Sequence, residues 1–382
     1  MSKESFIQIL IITQDFPPNI GGIQTYFGQV AKNWVEMGHQ VTVLCAGSIS
    51  NKKDYYGAKV ISIPIHTSWL FLPLLLILPL LLAKMSITHV VYGQWQVGIP
   101  FLLWKKKRKA YDITCVVHGR ELLTSVLGPL HVQLMKKVFG SIQRAVVNSH
   151  YIESLLKRKY SKSLKTSIAY PGVDPEEFYL EKQNGFKESL GLESKSLIVS
   201  LTRLVPRKNI NQLMEAFNEM ASNFPNHQLV IAGDGPEKPR LLELKKSLKY
   251  GEQITFLGRL RKEVIRPFYN MATLYVLPSI ELEGDVEGFG IVFLEAGACQ
   301  TTVIATRSGG IPDAVEDGAS GVLVPPNDKV ALKEAMRDLL INKEKRRGMG
   351  GYARERILKG FTWRHTSISL LKAMLPSSKI KS

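Results

Sequence analysis

The chain has 382 residues, enough for two or three domains of about 150 residues, and 45% of them are hydrophobic, which supplies each domain with a core. That balance excludes a disordered chain and a many-span membrane protein. The net charge of +17 is unevenly placed: residues 1–170 hold 20 Lys and Arg against 7 Asp and Glu, a net of +13, so a polyanion or an anionic membrane is the natural partner of the front half.

In chain order, SFIQILIITQD reads as a first strand, PPNIGG as a turn, and Ile23, Phe27, Val30, Trp34 and Met37 as one face of a helix that Gly38 stops. The runs QVTVLCA, VISIPI, HVVYG, ITCVVHG, RAVVNS and SIAYPGV follow as further strands, most of them separated by segments of helical length. After PGVDPEEF the pattern pauses across a polar linker, 175–195. It then restarts with SLIVSLTRL, HQLVIAGDG, QITFLGR, TLYVLPS, TVIATRSGG and GVLVPP. Continuous apolar strands alternating with helices predict parallel sheets covered on both faces. The expectation is therefore an α/β chain of two doubly wound domains, 1–174 and 196–360, closed by a helical tail, 361–375.

Cys45, Cys115 and Cys299 are few and widely spaced, which argues against a disulfide scaffold or a zinc site and fits a reducing cytosol. The opening MSKESF lacks the apolar stretch of a secretory signal. One segment departs from the soluble pattern. WLFLPLLLILPLLLA, residues 69–83, has no charge, is 15 residues long and carries Pro73 and Pro79. It is short for a spanning helix of about 20 residues. It reads as a buried crossover helix or as a shallow membrane-inserting one, helped by the basic run Lys105–Lys109.

In open α/β sheets, ligands bind beyond the carboxyl ends of the strands, so residues just after strands are the candidates. Gly21-Gly22 precedes the first helix, where free N–H groups suit a phosphate, although a plain tight turn would look the same. His118 follows ITCVV; it can donate to a sugar hydroxyl or cap the next helix. Arg203 and Lys208, beyond another strand, suit a diphosphate, against the alternative of a solvated basic turn. GDGP, residues 233–236, is turn chemistry as much as a ligand loop. Glu287 stands before a glycine-rich helix start and Glu295 two turns inside that helix, about 12 Å apart if all eight residues are helical. The N–H groups of Gly288, Phe289, Gly290 and Ile291 are free to meet hydroxyls or phosphate. The alternative is an acidic first turn that stabilises its helix, or a metal site built on Glu283, Asp285 and Glu287.

Together, GGIQTY, VVHG, PGVD, LTRLVPRKN, IAGDGP, VEGFGIVFLEA and SGGIPDAVEDGASGVLVPP resemble, in order and over nearly the whole chain, the large retaining GT-B glycosyltransferase family of sucrose synthase and bacterial mannosyltransferases. TQDFPPNIGGIQ and DVEGFGIVFLEA look most like the phosphatidylinositol-mannoside mannosyltransferases. The resemblance implies two Rossmann-like domains facing a central cleft, the first for the acceptor and the second for a nucleotide sugar, with the final helix crossing back onto the first. Arg203 and Lys208 would hold the diphosphate beside Gly21 and Gly22, and Glu295 the ribose. Glu287 with the 289–291 amides would hold the donor sugar, and His118 would lie near its anomeric carbon. The backbone of Gly258, Arg259 and Leu260 would meet the base. No cofactor or metal is expected. The donor would be GDP-mannose or a UDP-sugar and the acceptor a lipid or glycan, at the inner face of the cell membrane. Nucleic acid is not an expected partner, because no base-stacking aromatic pattern accompanies the basic half. A nicotinamide oxidoreductase is disfavoured by the missing G-x-G-x-x-G, and a non-catalytic glycan- or lipid-binding module by the intact charged set.

Overall fold

The computed structural model describes residues 7–19, 21–47, 54–103, 111–123, 128–181 and 185–375. The basic run Lys105–Lys109 lies outside them. The chain divides into two compact units, Met1–Pro171 with Trp363–Ser382, and Gly172–Thr362.

The first unit is built on an eight-stranded sheet: β1 (Gln8–Thr13), β2 (Gln40–Ala46), β3 (Asp54–Tyr55), β4 (Ala58–Ile63), β5 (His89–Tyr92), β6 (Asp112–Val117), β7 (Arg144–Val147) and β8 (Lys165–Ile168). Its order is β3-β4-β2-β1-β5-β6-β7-β8, parallel except for the short antiparallel edge β3. The central strands are buried on both faces, as their unbroken Ile, Leu and Val runs require. The strand order reverses direction between β1 and β5, so the loops that leave those two strands diverge and open a crevice. The helix Gly22–Glu36 follows β1, and Trp363–Met374 packs on it, with Trp34 Nε1 donating to the Ser367 carbonyl at 3.0 Å.

The second unit has a six-stranded, wholly parallel sheet: β9 (Ser196–Leu201), β10 (His227–Ala232), β11 (Ile254–Gly258), β12 (Leu274–Leu277), β13 (Val303–Thr306) and β14 (Gly321–Val324). The order β11-β10-β9-β12-β13-β14 places its reversal between β9 and β12. The helix Ile291–Ala298 is overlaid by Lys343–Gly360 at close range; a Cβ on Gly297 would stand 3.2 Å from Ala353 Cβ. Arg354 ties that packing together, donating to the carbonyls of Phe178 at 2.6 Å and Ala298 at 3.1 Å.

The apolar run 69–83 has one buried face and one exposed face. It forms the helix Phe71–Lys84, with Pro79 inside it. Leu70, Leu74, Leu78 and Leu82 are buried at four-residue spacing. On the other side Leu72, Leu76 and Leu80 are 43%, 77% and 64% exposed, with Trp69 at 54%. Among the described residues no helix is long and apolar enough to cross a membrane.

Candidate active site

In the second unit, the two loops at the sheet's reversal point carry most of the predicted residues. The loop after β9 is held by the GDGP turn. Leu204 N donates to Asp234 O at 2.9 Å, and Glu237 N to Leu204 O at 3.1 Å. Gly233 has φ +131°, and an added Cβ would sit 1.7 Å from the Thr202 carbonyl oxygen. A glycine is required there for close approach of backbones. The GDGP motif therefore fixes the loop that bears Arg203.

A short turn, Pro206–Lys208, next directs two cations inward, and Ile280 N donates to the Arg207 carbonyl at 2.8 Å, joining this turn to the loop after β12. Arg207 Nη1 donates to Glu287 Oε2 at 2.7 Å, and Arg207 Nε lies 3.1 Å from Asp285 Oδ1. Lys208 Nζ donates to the same Glu287 oxygen. The three side chains are 14%, 9% and 15% exposed, so this is a nearly buried cluster of two cations and one carboxylate. Burial pushes the Glu287 carboxyl up, but the Lys208 and Arg207 charges outweigh it and hold its pKa at about 2. Burial, aided by the Arg207 charge, pulls the Lys208 ammonium below the ordinary lysine range against the attraction of Glu287. The Glu287 carbonyl is fixed as well. It accepts from Gly310 N at 2.9 Å, and a Cβ on Gly309 (φ +54°) would stand 2.4 Å from it.

Arg203 is exposed and has no ion pair among the described residues. The structure thus brings Lys208 and Glu287 into contact and leaves Arg203, on the same loop as Lys208, without an ion pair among the described residues. Arg207 was missed in sequence. A Pro-Arg-Lys turn in a basic chain gives no local mark of which cation points inward, and only the acidic loop 80 residues downstream decides it.

Glu295 stands one turn into its helix, not two, because the helix begins at Ile291. Residues 287–290 are not helical, so the 12 Å estimate does not apply. Tyr269 Oη donates to Glu295 Oε2 at 2.8 Å. Burial pushes the Glu295 carboxyl up to about 7, against that hydrogen bond. Gly290, at φ +94°, caps the helix with no side-chain hydrogen bond, which leaves first-turn N–H groups available. Phe289 is buried, stacked on Phe361 at 6.3 Å. Gly258 has φ +70°, its carbonyl accepts from Gly233 N at 2.7 Å, and Arg259 beyond it is exposed. The acidic cluster does not gather as a metal site would: Asp285 and Glu287 both face Arg207, and Glu283 is exposed.

In the first unit, Gly21 (φ 164°) is extended backbone that any residue adopts, and a Cβ on Gly22 would meet nothing within 4 Å. The helix that starts there has no side-chain cap. The His118 backbone N–H donates to Glu121 Oε1 at 2.6 Å, and its ring packs edge-on against Tyr26 at 5.1 Å and Phe27 at 5.9 Å. Burial lowers its pKa to about 4, so the imidazole is neutral at pH 7, and Nε2 is buried without a partner among the described residues. The Tyr26 hydroxyl, at the end of the GGIQTY motif, and Trp95 Nε1, which no motif marks, share that condition.

Comparison with known proteins decides the class of the protein. Residues 182–356 match the family model for glycosyl transferases group 1, and residues 20–177 match glycosyltransferase family 4. The GDP-mannose-dependent alpha-(1-6)-phosphatidylinositol monomannoside mannosyltransferase of Mycolicibacterium smegmatis is 30% identical over 93% of this chain and 95% of its own. The chain belongs to the group 1, family 4 glycosyltransferases. A further relative is the N-acetyl-alpha-D-glucosaminyl L-malate synthase of Bacillus anthracis, 25% identical over 90% of this chain and 91% of that protein. Among solved structures, sucrose-phosphate synthase from Thermosynechococcus elongatus superposes with a TM-score of 0.80 at 23% identity, covering 96% of this chain and 98% of that one. Anabaena HepE in complex with UDP-glucose gives 0.77 at 16%, over 97% and 100%. The fold is GT-B and the protein is a glycosyltransferase, so the oxidoreductase and binding-module alternatives fall.

Proposed function

We propose that this glycosyltransferase moves mannose from GDP-mannose to a lipid-linked or envelope-glycan acceptor at the inner face of the cell membrane, with retention of anomeric configuration and without a metal. The observation that carries the reading is the charge arrangement at the β9–β12 reversal point: a cationic turn, an ionised Glu287 and a second glutamate one turn inside the helix that follows. In this reading Arg203 and Lys208 hold the diphosphate, Glu287 and the 289–291 amides the sugar hydroxyls, and Glu295 the ribose, with Gly288 beside the donor. Gly258, Arg259 and Leu260 serve the base. On the first unit, Gly21 and Gly22 serve the diphosphate and His118 the sugar. The sugar's bond to the diphosphate oxygen breaks with oxocarbenium character, and the bonding pair leaves on that oxygen, where the cations stabilise it. The acceptor hydroxyl bonds to the anomeric carbon from the same face and gives its proton to the departing phosphate.

The donor assignment follows the mycobacterial relative, whose name specifies GDP-mannose. The N-acetylglucosaminyl relative and the UDP-glucose held by the HepE structure support a second reading, a UDP-sugar such as UDP-glucose or UDP-GlcNAc. Membrane association draws support from the net +13 of residues 1–170 and from the exposed Leu72, Leu76 and Leu80. A thermal-shift screen of nucleotide sugars tests the reading, since a ligand bound only to the folded state raises its melting temperature. GDP-mannose is expected to give the largest shift. A larger shift with a UDP-sugar moves the assignment to the second reading, and no shift with any nucleotide removes both.

A further inference from the structure

Glu287 receives two cations on one carboxylate oxygen, Arg207 Nη1 and Lys208 Nζ. The two are not held alike. Arg207 has two hydrogen bonds and a further ion pair: Nη1 donates to Glu287, its carbonyl accepts from Ile280 N, and Nε lies 3.1 Å from Asp285 Oδ1. Lys208 is a point charge on a flexible stem whose ammonium has Glu287 as its ion-pair partner among the described residues. A buried carboxylate needs one compensating charge to avoid a large penalty, and Arg207, shared with Asp285, supplies it to Glu287, so Lys208 is the second cation on that carboxylate.

We propose that Arg207 is a positioning residue that keeps Glu287 charged and in place while Lys208 transfers from Glu287 to the diphosphate of the donor. The inference rests on the donor reading above and adds to it a division of labour inside the Pro206–Lys208 turn. Lys208 is stored on Glu287 when the site is empty. Arrival of the diphosphate draws it away and frees one lone-pair direction of Glu287 for a sugar hydroxyl. Arg207 makes the exchange tolerable, because the carboxylate it leaves behind is still paired. Asp285 holds the guanidinium from the other side, so it does not follow the phosphate.

The arrangement predicts non-additive behaviour. In E287Q nothing competes for Lys208, so nucleoside diphosphate binds at least about threefold tighter. In R207M, binding has to strip the last cation from a buried carboxylate and weakens by about tenfold or more. In R207M/E287Q that loss disappears, and affinity returns to within about threefold of E287Q alone. If Arg207 were merely structural, its loss would weaken binding equally in both backgrounds. R207K keeps a charge without the two-point fork. It should bind diphosphate nearly as the parent does yet lose kcat, separating positioning from binding.

The test is calorimetric titration of the intact chain and these four variants with GDP and with UDP at one fixed salt concentration, melting curves confirming the fold. R207Q replaces R207M if the latter does not melt cooperatively. Tighter binding in E287Q together with a coupled cycle supports the inference. Unchanged or weaker binding in E287Q, or an additive cycle, overturns it while the donor reading stands. Absence of binding of either nucleotide to the parent chain overturns both.

Discussion

Lys208 and Glu287, 79 positions apart in sequence, share a nearly buried hydrogen bond at the point where the second unit's strand order reverses. β9 ends on one side of that point and β12 on the other, so a residue shortly after each strand is directed into the same crevice by topology alone. The close glycines then remove the remaining freedom: Gly233 and Gly235 press on the loop after β9, and Gly309 on the Glu287 carbonyl.

Removing the carboxylate should register in both stability and activity. E287A leaves Arg207 and Lys208 facing each other with no anion between them. A loss of about 3 kcal/mol at pH 7 is expected from denaturant melts, with transfer falling at least a hundredfold. The folded pKa of about 2 lies below the ordinary carboxylate range. The stabilising contribution is therefore present above the ordinary range and is lost as pH falls through it toward 2. The stability gap between parent and E287A should narrow over that window. A gap independent of pH would show that Glu287 is not ionised in the native protein.

Glu295 titrates in the opposite sense. Its carboxyl is pushed up to about 7, so it is protonated below that pH and a carboxylate above it. If it accepts ribose hydroxyls as an anion, affinity for the nucleoside diphosphate should rise by about tenfold from pH 6 to pH 8 in calorimetry, and E295Q should flatten the profile. The raised folded pKa also means that ionising Glu295 costs stability as pH climbs from the ordinary range to 7. E295Q should accordingly gain melting temperature relative to the parent at pH 8 more than at pH 5.

Two glycines separate ligand approach from folding. Gly22 has open space where a Cβ would stand and no left-handed backbone, whereas Gly233 has φ +131° and a carbonyl 1.7 Å from that Cβ. G22A should melt within about 0.5 kcal/mol of the parent yet raise the donor KM about tenfold. G233A should lose about 2 kcal/mol or more. Unaltered kinetics in G22A would remove the first-unit glycines from the donor site.

The exposed stripe of the helix Phe71–Lys84 makes the membrane reading measurable. L72S/L76S/L80S leaves the buried Leu74, Leu78 and Leu82 in place. Flotation with anionic vesicles should fall by about tenfold or more while the nucleotide-induced thermal shift is retained. Equal flotation of parent and variant would assign those leucines no part in membrane contact.

Much of this was legible in the chain. Apolar runs such as QVTVLCA and SLIVSL announce buried parallel strands because both faces must be covered, whereas Asp54–Tyr55 went unseen because two residues carry no period. VISIPI was placed late, since Pro64 cannot extend the ladder and the strand runs Ala58–Ile63 instead. Lys208 and Glu287 could be named from position after strands, but their pairing could not, because pairing across 79 residues depends on topology. The depth of Glu295 in its helix depended on where the backbone leaves the left-handed Gly290, and the inward turn of Arg207 on the acidic loop 80 residues downstream. The two faces of residues 69–83 were hidden for a different reason: a run of leucines has no polar side to show which way it points.

The central claim is that the second unit grips an activated sugar through its diphosphate, and titration of the intact chain and K208M with GDP-mannose tests it most directly. The account predicts saturable binding by the parent chain and a loss of at least about a hundredfold in K208M, about 2.7 kcal/mol, with the melting curve of the variant still cooperative. Equal affinity in the two proteins would contradict it.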